Sequence, residues 1–195
     1  MRSNGSGRIL VAGIGNIFLG DDAFGVEVVR RLRDAVLPEM VDVSDYGIRG
    51  MHLAYDLLDG HHDVLVMVDA LPLNEAPGTL AVLQVDLDDP GWTLGPADAL
   101  AAPAADGHGM DPGVRAPGCC AVWGGTVDRV LVVGCQPALM DERMGLSTPV
   151  AEALDEAARI VVGVVEEEVA RLGAAAVQRE TREQTSAERE VTTHA

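Results

Sequence analysis

Residues Ile9 to Leu32 read ILVAGIGNIFLGDDAFGVEVVRRL, and this stretch decides the fold. Arg8 to Gly15 (RILVAGIG) is a short apolar run ending in glycines, the pattern of a buried strand that runs into a turn. Asp21 and Asp22 follow, where carboxylates cap free N–H groups and suit the positive end of a helix dipole. Phe24 to Val36 then reads as an amphipathic helix. Val26, Val29, Leu32 and Val36 form one stripe, with Glu27, Arg30, Arg31 and Arg33 largely off it.

The same alternation continues downstream. Val41–Tyr46 reads as a second strand, and Met51–Leu58 as a helix. Asp63–Ala70 (DVLVMVDA) is so apolar that a strand there is buried on both faces. Thr79–Val85 and Arg129–Cys135 complete the strands. Thr148–Leu172 is the longest helix, its inner face built from Val150, Leu154, Ala157, Val161, Val164 and Val165. The expected fold is therefore an α/β layered sandwich, with a central, mostly parallel twisted sheet of about five strands flanked by helices.

Residues 8–172 form the expected domain, after a flexible N-terminus at 1–7. Residues 173–195 are polar and poor in hydrophobes, and are expected to form a disordered tail. Asp86–Gly125 carries eight glycines and five prolines in 40 residues, and a loop region of that length inside a domain is usually functional.

Composition excludes several functions. The 195 residues are 48% hydrophobic, yet no apolar run is long enough to span a membrane, so a soluble chain without a membrane partner is expected. No signal-peptide core precedes Gly13, and three cysteines fit a reducing cytoplasm. The 31 acids outweigh 14 bases for a net charge of −17, which repels nucleic acid. All 14 bases are arginine, which removes the P-loop lysine, Schiff-base chemistry and the Ser-x-x-Lys nucleophile. His-Glu-x-x-His and Gly-x-Ser-x-Gly are also absent from the sequence.

Gly13-Ile-Gly15 invites a dinucleotide reading, but the spacing continues as Asn16-Ile-Phe rather than x-x-Gly, and two aspartates at the helix mouth repel phosphate. The other reading is cationic. Asp22 opens the helix, and Asp69 ends the third strand, at the edge where open α/β sheets place ligands. His108, within Asp106-Gly-His-Gly-Met110, supplies a candidate imidazole, and two carboxylates with one imidazole suit a transition metal. Against this stand blander roles: a helix cap for Asp21 or Asp22, and a solvated loop position for His108. His61 and His62 mark a surface turn at the opposite sheet edge from Asp69. Cys119 and Cys120 are adjacent and unsuited to pairing with each other, while Cys135 reads as a small core residue.

Ile9–Leu32 resembles the N-terminal signature of the hydrogenase maturation endopeptidases. The likeness continues in order through VMVDALP (Val66–Pro72), DGHGM (Asp106–Met110), VVGCQP (Val132–Pro137) and MGLSTPVAEALDEA (Met144–Ala157). The resemblance implies an endopeptidase that removes the C-terminal extension of a nickel–iron hydrogenase large-subunit precursor after nickel insertion. It implies Asp22, Asp69 and His108 as the metal-contacting residues, with Asp22 and Asp69 the catalytic carboxylates. Nickel would arrive with the substrate rather than reside in the enzyme. The implied partner is the large-subunit precursor, and the protein is expected to act as a cytoplasmic monomer. Two mechanisms stay open: metal as template and polariser, or a carboxylate as general base in the manner of an aspartyl protease. A non-catalytic nickel-checking or chaperone-like module and a nucleotide-binding protein are the alternative functions. The chain departs from the family pattern at Ala23, where many relatives have glycine, and over Asp111–Gly125, where Pro112, Gly113, Pro117 and Gly118 oppose a regular helix.

Overall fold

A computed structural model describes residues 7–87 and 127–193. Strands β1 (Ile9–Ile14), β2 (Val41–Gly47), β3 (Val64–Ala70), β4 (Leu80–Gln84) and β5 (Arg129–Cys135) form one sheet, in the order β2-β1-β3-β5-β4. The three pairings among β2, β1, β3 and β5 are parallel, and at the margin β4 joins β5 antiparallel. Helices are α1 (Phe24–Leu32), α2 (Gly50–Leu58) and α3 (Thr148–Thr193), with a 3-10 turn at Gly20–Ala23 before α1. The expected mostly parallel, five-strand α/β sandwich is what the chain forms.

Period-2 alternation splits the core in two. On one face Ile9, Val11, Val64, Val66, Val68, Leu131 and Val133 pack beneath Phe24, Val28 and Leu32 of α1 and Val150, Leu154, Ala157, Val161 and Val165 of α3. On the other, Leu10, Ala12, Leu65, Met67, Val130 and Val132 meet Leu53, Ala54 and Leu57 of α2. Every residue of β3 is buried, as its unbroken apolar run requires. The inner face of α3 follows the expected spacing, although Val164 is only partly buried.

Two helix ends differ from the expectation. α1 stops at Leu32, and Val36 is fully exposed rather than on the buried stripe. Pro38 explains this, because it pushes Leu37 out of the helical region, although Leu37 still packs against the core. In the other direction, α3 continues past Leu172 to Thr193, so most of the segment expected to be disordered is helical. Its sequence has no proline and is rich in Ala, Glu, Gln and Arg, which are strong helix formers. Local propensity carries the helix onward: Val177 is exposed, and among the described side chains of α3 Leu172 is the last packed against the core.

The sheet order places the reversal of winding between β1 and β3. From β1 the chain steps outward to β2, then returns past β1 to β3 on the other side. Ligands of open α/β sheets bind at the carboxyl ends of the strands at such a point. Both the turn after β1 and the end of β3 lie there.

Candidate active site

Glycines make the turn after β1 possible. Gly15 has φ +134°, and a Cβ on it would lie 1.7 Å from the Asp22 carbonyl oxygen. The chain therefore passes directly over the backbone of Asp22. Gly25 allows a second close approach, since its Cβ would lie 2.0 Å from the Val68 carbonyl and 2.3 Å from that of Ile14. The first turn of α1 is thereby pressed between the ends of β1 and β3. These glycines serve contacts within the protein, which leaves the dinucleotide reading of Gly13-x-Gly15 without its phosphate cradle.

Asp21 and Asp22 do not cap a helix: neither the 3-10 turn nor α1 has a side-chain cap hydrogen bond. Asp22 turns back on the loop, and its Oδ2 accepts a hydrogen bond from the Asn16 N–H at 2.7 Å. Asn16 is fixed in turn, its Oδ1 accepting from the Phe18 N–H at 3.0 Å. Burial raises the Asp22 carboxyl above its ordinary value, and the single Asn16 hydrogen bond only partly opposes this.

Asp69 continues the row of Leu65 and Met67 on the α2 face of β3, one step from the strand end. It is buried, with Oδ1 accepting from the Ala70 N–H at 2.8 Å. Burial, reinforced by the negative charge of nearby Asp22, pushes its carboxyl up to about 8. The two acids from β1's turn and β3's end thus face one another closely enough to repel. At neutral pH such a pair keeps one proton, and it can act as an acid–base couple or surrender that proton to a cation.

The expected third member, His108, lies outside the described residues, as do Cys119, Cys120 and the whole of Asp111–Gly125. Among the described residues no group of three His, Cys, Asp or Glu side chains could hold a metal ion. Asp22 and Asp69 are brought together, and a metal would need a further ligand from elsewhere. Cys135 is buried at the end of β5, its thiol pushed up to about 11 by burial and by the charge of Asp21, which suits an inert core residue. His62 is not on a surface turn. Its ring is mostly enclosed, with Nε2 2.8 Å from Asp42 Oδ2, and the same carboxylate pairs with Arg8 at 2.7 Å. This cluster sits at the amino ends of the strands, far from the switch point.

Sequence reasoning gave Asp21 no separate role, and the structure distinguishes it sharply from its neighbour. It is fully buried and points away from Asp22, toward the loop between β5 and α3. Burial alone would raise its carboxyl. Hydrogen bonds from Ser147, Leu139 and Ala138 outweigh that and hold it below the ordinary value. The doubled aspartate was the available signal, because one helix mouth rarely needs two.

The fold and the paired carboxylates at its switch point define an α/β protein with an acidic site at the carboxyl ends of its strands. Comparison sharpens the class. A protein of Methanocaldococcus jannaschii provisionally named a hydrogenase maturation protease is 34% identical over 164 residues, covering 80% of this chain and 96% of that protein. The hydrogenase 2 maturation protease of Escherichia coli is 32% identical over 160 residues, covering 77% and 85%. Among solved structures, the Escherichia coli hydrogenase maturating endopeptidase HybD superposes with a TM-score of 0.61 at 27% identity, covering 82% of this chain and 93% of that one. The maturation protease HycI of Thermococcus kodakarensis gives 0.56 at 26% identity, covering 82% and 92%. No protein-family model matches the chain. The chain belongs to the hydrogenase maturation proteases, and it is an endopeptidase of the hydrolase class.

Proposed function

We propose that this endopeptidase removes the C-terminal extension of a nickel–iron hydrogenase large-subunit precursor once nickel has been inserted. The observation that carries the reading is the buried Asp22–Asp69 pair at the β1/β3 switch point, in a chain of this family. Two carboxylates that repel one another in a poorly solvated site gain from a divalent cation between them, and oxygen ligands with one imidazole suit Ni(II). Asp22 and Asp69 would hold the nickel brought by the substrate, with His108 as third ligand. When bound there, nickel supplies orientation and polarisation of the carbonyl beside it.

The chain's own residues would do the rest. The Asn16 N–H fixes one oxygen of Asp22, and the Ala70 N–H fixes one of Asp69, so each presents its other oxygen. Asp69 keeps its proton at neutral pH in the free enzyme and releases it as the cation is engaged. A carboxylate freed in this way can take a proton from the attacking water. Action in the cytoplasm as a monomer, on the precursor as sole macromolecular partner, completes the reading; among the described residues no helix is long and apolar enough to cross a membrane.

The test is incubation with nickel-loaded and nickel-free precursor, followed by mass spectrometry of the products. Cleavage only of the loaded form supports the proposal. Binding without cleavage would favour the nickel-checking module, and indifference to both forms would overturn both readings.

A further inference from the structure

Asp21 accepts four hydrogen bonds through its side chain, yet nothing in the cleavage chemistry uses it. Its Oδ1 accepts from the Ser147 N–H at 2.6 Å. Its Oδ2 accepts from the Ala138 N–H at 2.8 Å, the Leu139 N–H at 2.9 Å and the Ser147 hydroxyl at 2.8 Å. All four donors belong to the β5–α3 loop, more than a hundred residues away in sequence. The backbone doubles the link. Asp21 N–H donates to the Leu139 carbonyl at 2.9 Å, Gly20 N–H to that of Arg143 at 2.9 Å, and Arg143 N–H to that of Phe18 at 2.9 Å. Gly20, at φ +59°, lets the strands of chain approach, for a Cβ there would lie 2.9 Å from the Leu139 carbonyl.

We propose that Asp21 is a positioning residue that locks the 3-10 turn to the β5–α3 loop and thereby sets where Asp22 stands. The proposal rests on the reading of Asp22 as part of the site. In a turn with three residues per revolution, neighbouring side chains diverge by about 120°. Asp21 held inward by four donors therefore leaves Asp22 one direction, toward Asn16 and Asp69. The turn is otherwise weakly held on its outer side, since the Asp22 side chain itself has a single hydrogen bond. An accept-only carboxylate matches four converging donors; asparagine would set its own NH2 group against some of them.

The test separates positioning from mere stability by using an amide that reports on Asp22. The Asn16 N–H donates to Asp22 Oδ2, and neither Asp21 nor Ser147 is its partner. Hydrogen exchange of wild type, Asp21→Asn and Ser147→Ala is followed by NMR, with β3 amides at Leu65 and Val66 as the global reference. We expect Asn16 exchange to accelerate at least tenfold in Asp21→Asn and about threefold in Ser147→Ala, with the β3 amides far less affected. In cleavage of nickel-loaded precursor, kcat should fall at least tenfold in Asp21→Asn while KM stays within about threefold. Unchanged Asn16 exchange in folded variants, or acceleration in step with β3, would overturn the proposal. If Asp21→Asn does not fold, Ser147→Ala decides, because it removes one of four donors and leaves the carboxylate in place. Should wild type fail to cleave, the functional reading falls, while the Asn16 amide still reports whether Asp21 sets Asp22.

Discussion

Asp69→Asn should stabilise the free enzyme while abolishing its activity, with a pH signature that identifies the cause. In the unfolded chain Asp69 ionises near 3.8; in the folded protein burial and Asp22 delay this to about 8. Between those values the folded state binds one proton more than the unfolded state. Stability therefore falls as pH rises across that window and levels off above it. At about 1.4 kcal/mol per pH unit, the roughly three units between the unfolded value and neutrality set a ceiling of about 4 kcal/mol at pH 7. Asparagine keeps the acceptor for the Ala70 N–H and cannot ionise, so the variant escapes this loss. We expect it to be about 1–4 kcal/mol more stable than wild type at pH 7.5 and nearly equal at pH 4.5, several degrees in melting temperature for a chain of this size. Urea unfolding of both proteins at half-unit steps from pH 4.5 to 8.5 measures this, and titrating groups that do not interact with Asp69 cancel in the difference. A difference constant across the range, or a variant less stable at pH 8, would refute the reasoning. Either result would mean that Asp69 is ionised in the free enzyme.

Other expectations follow from the same geometry. Gly25→Ala should destabilise by about 2–4 kcal/mol in thermal or urea unfolding, because its Cβ meets two fixed carbonyls rather than a yielding side chain. A chain ending at Leu172 should melt within about two degrees of full length and cleave normally, since among the residues of α3 whose side chains are described none past Leu172 packs against the core; a larger drop would show that this extension docks. His108→Ala should weaken binding to nickel-loaded precursor while sparing the nickel-free form, measured by calorimetry, and equal loss for both would remove His108 from the metal site. Wild-type binding of the loaded precursor should weaken as pH falls below about 8, because Asp69 must give up its proton to hold the cation; equal binding from pH 8.5 down to 6.5 would remove that role.

The fold was legible because its central strands β1, β3 and β5 are buried on both faces. β3 and β5 are unbroken apolar runs, and all five strands fall within a residue or two of their expected limits. Helix ends were less legible, and for opposite reasons. α1 ended ahead of Pro38, although the hydrophobic stripe continued to Val36. α3 outran its core because Ala, Glu and Arg favour helix without any partner. The pairing of Asp22 with Asp69 was readable as two acids at the carboxyl ends of strands, given a parallel sheet. The division of labour within Asp21-Asp22 was not. It depends on the β5–α3 loop arriving from more than a hundred residues away with three N–H groups and a hydroxyl.

Three aspartates within one turn and one strand end therefore carry three different electrostatic states. Asp21, although fully buried, has enough donors to stay ionised. Asp69, almost as buried, has one backbone donor and an acidic neighbour, and keeps its proton. Asp22 lies between, raised by burial and eased by one donor. Donors and burial order them together: four donors hold Asp21 low, whereas Asp22 and Asp69 have one donor each and are raised, Asp69 further because it lies deeper and beside the charge of Asp22. Environments that push neighbouring carboxyls apart in this way are how acid and base roles become distinct at one pH. The consequence is that asparagine at the three positions should act in different directions. At Asp69 it relieves strain and removes function, and at Asp21 it breaks a filled set of hydrogen bonds and loosens the turn. At Asp22 it removes the repelling charge, so the proton on Asp69 should be lost at a lower pH. Carbon-13 NMR titration of the Asp69 carboxyl in Asp22→Asn reads that shift directly, and an unmoved titration would show that burial by itself accounts for Asp69.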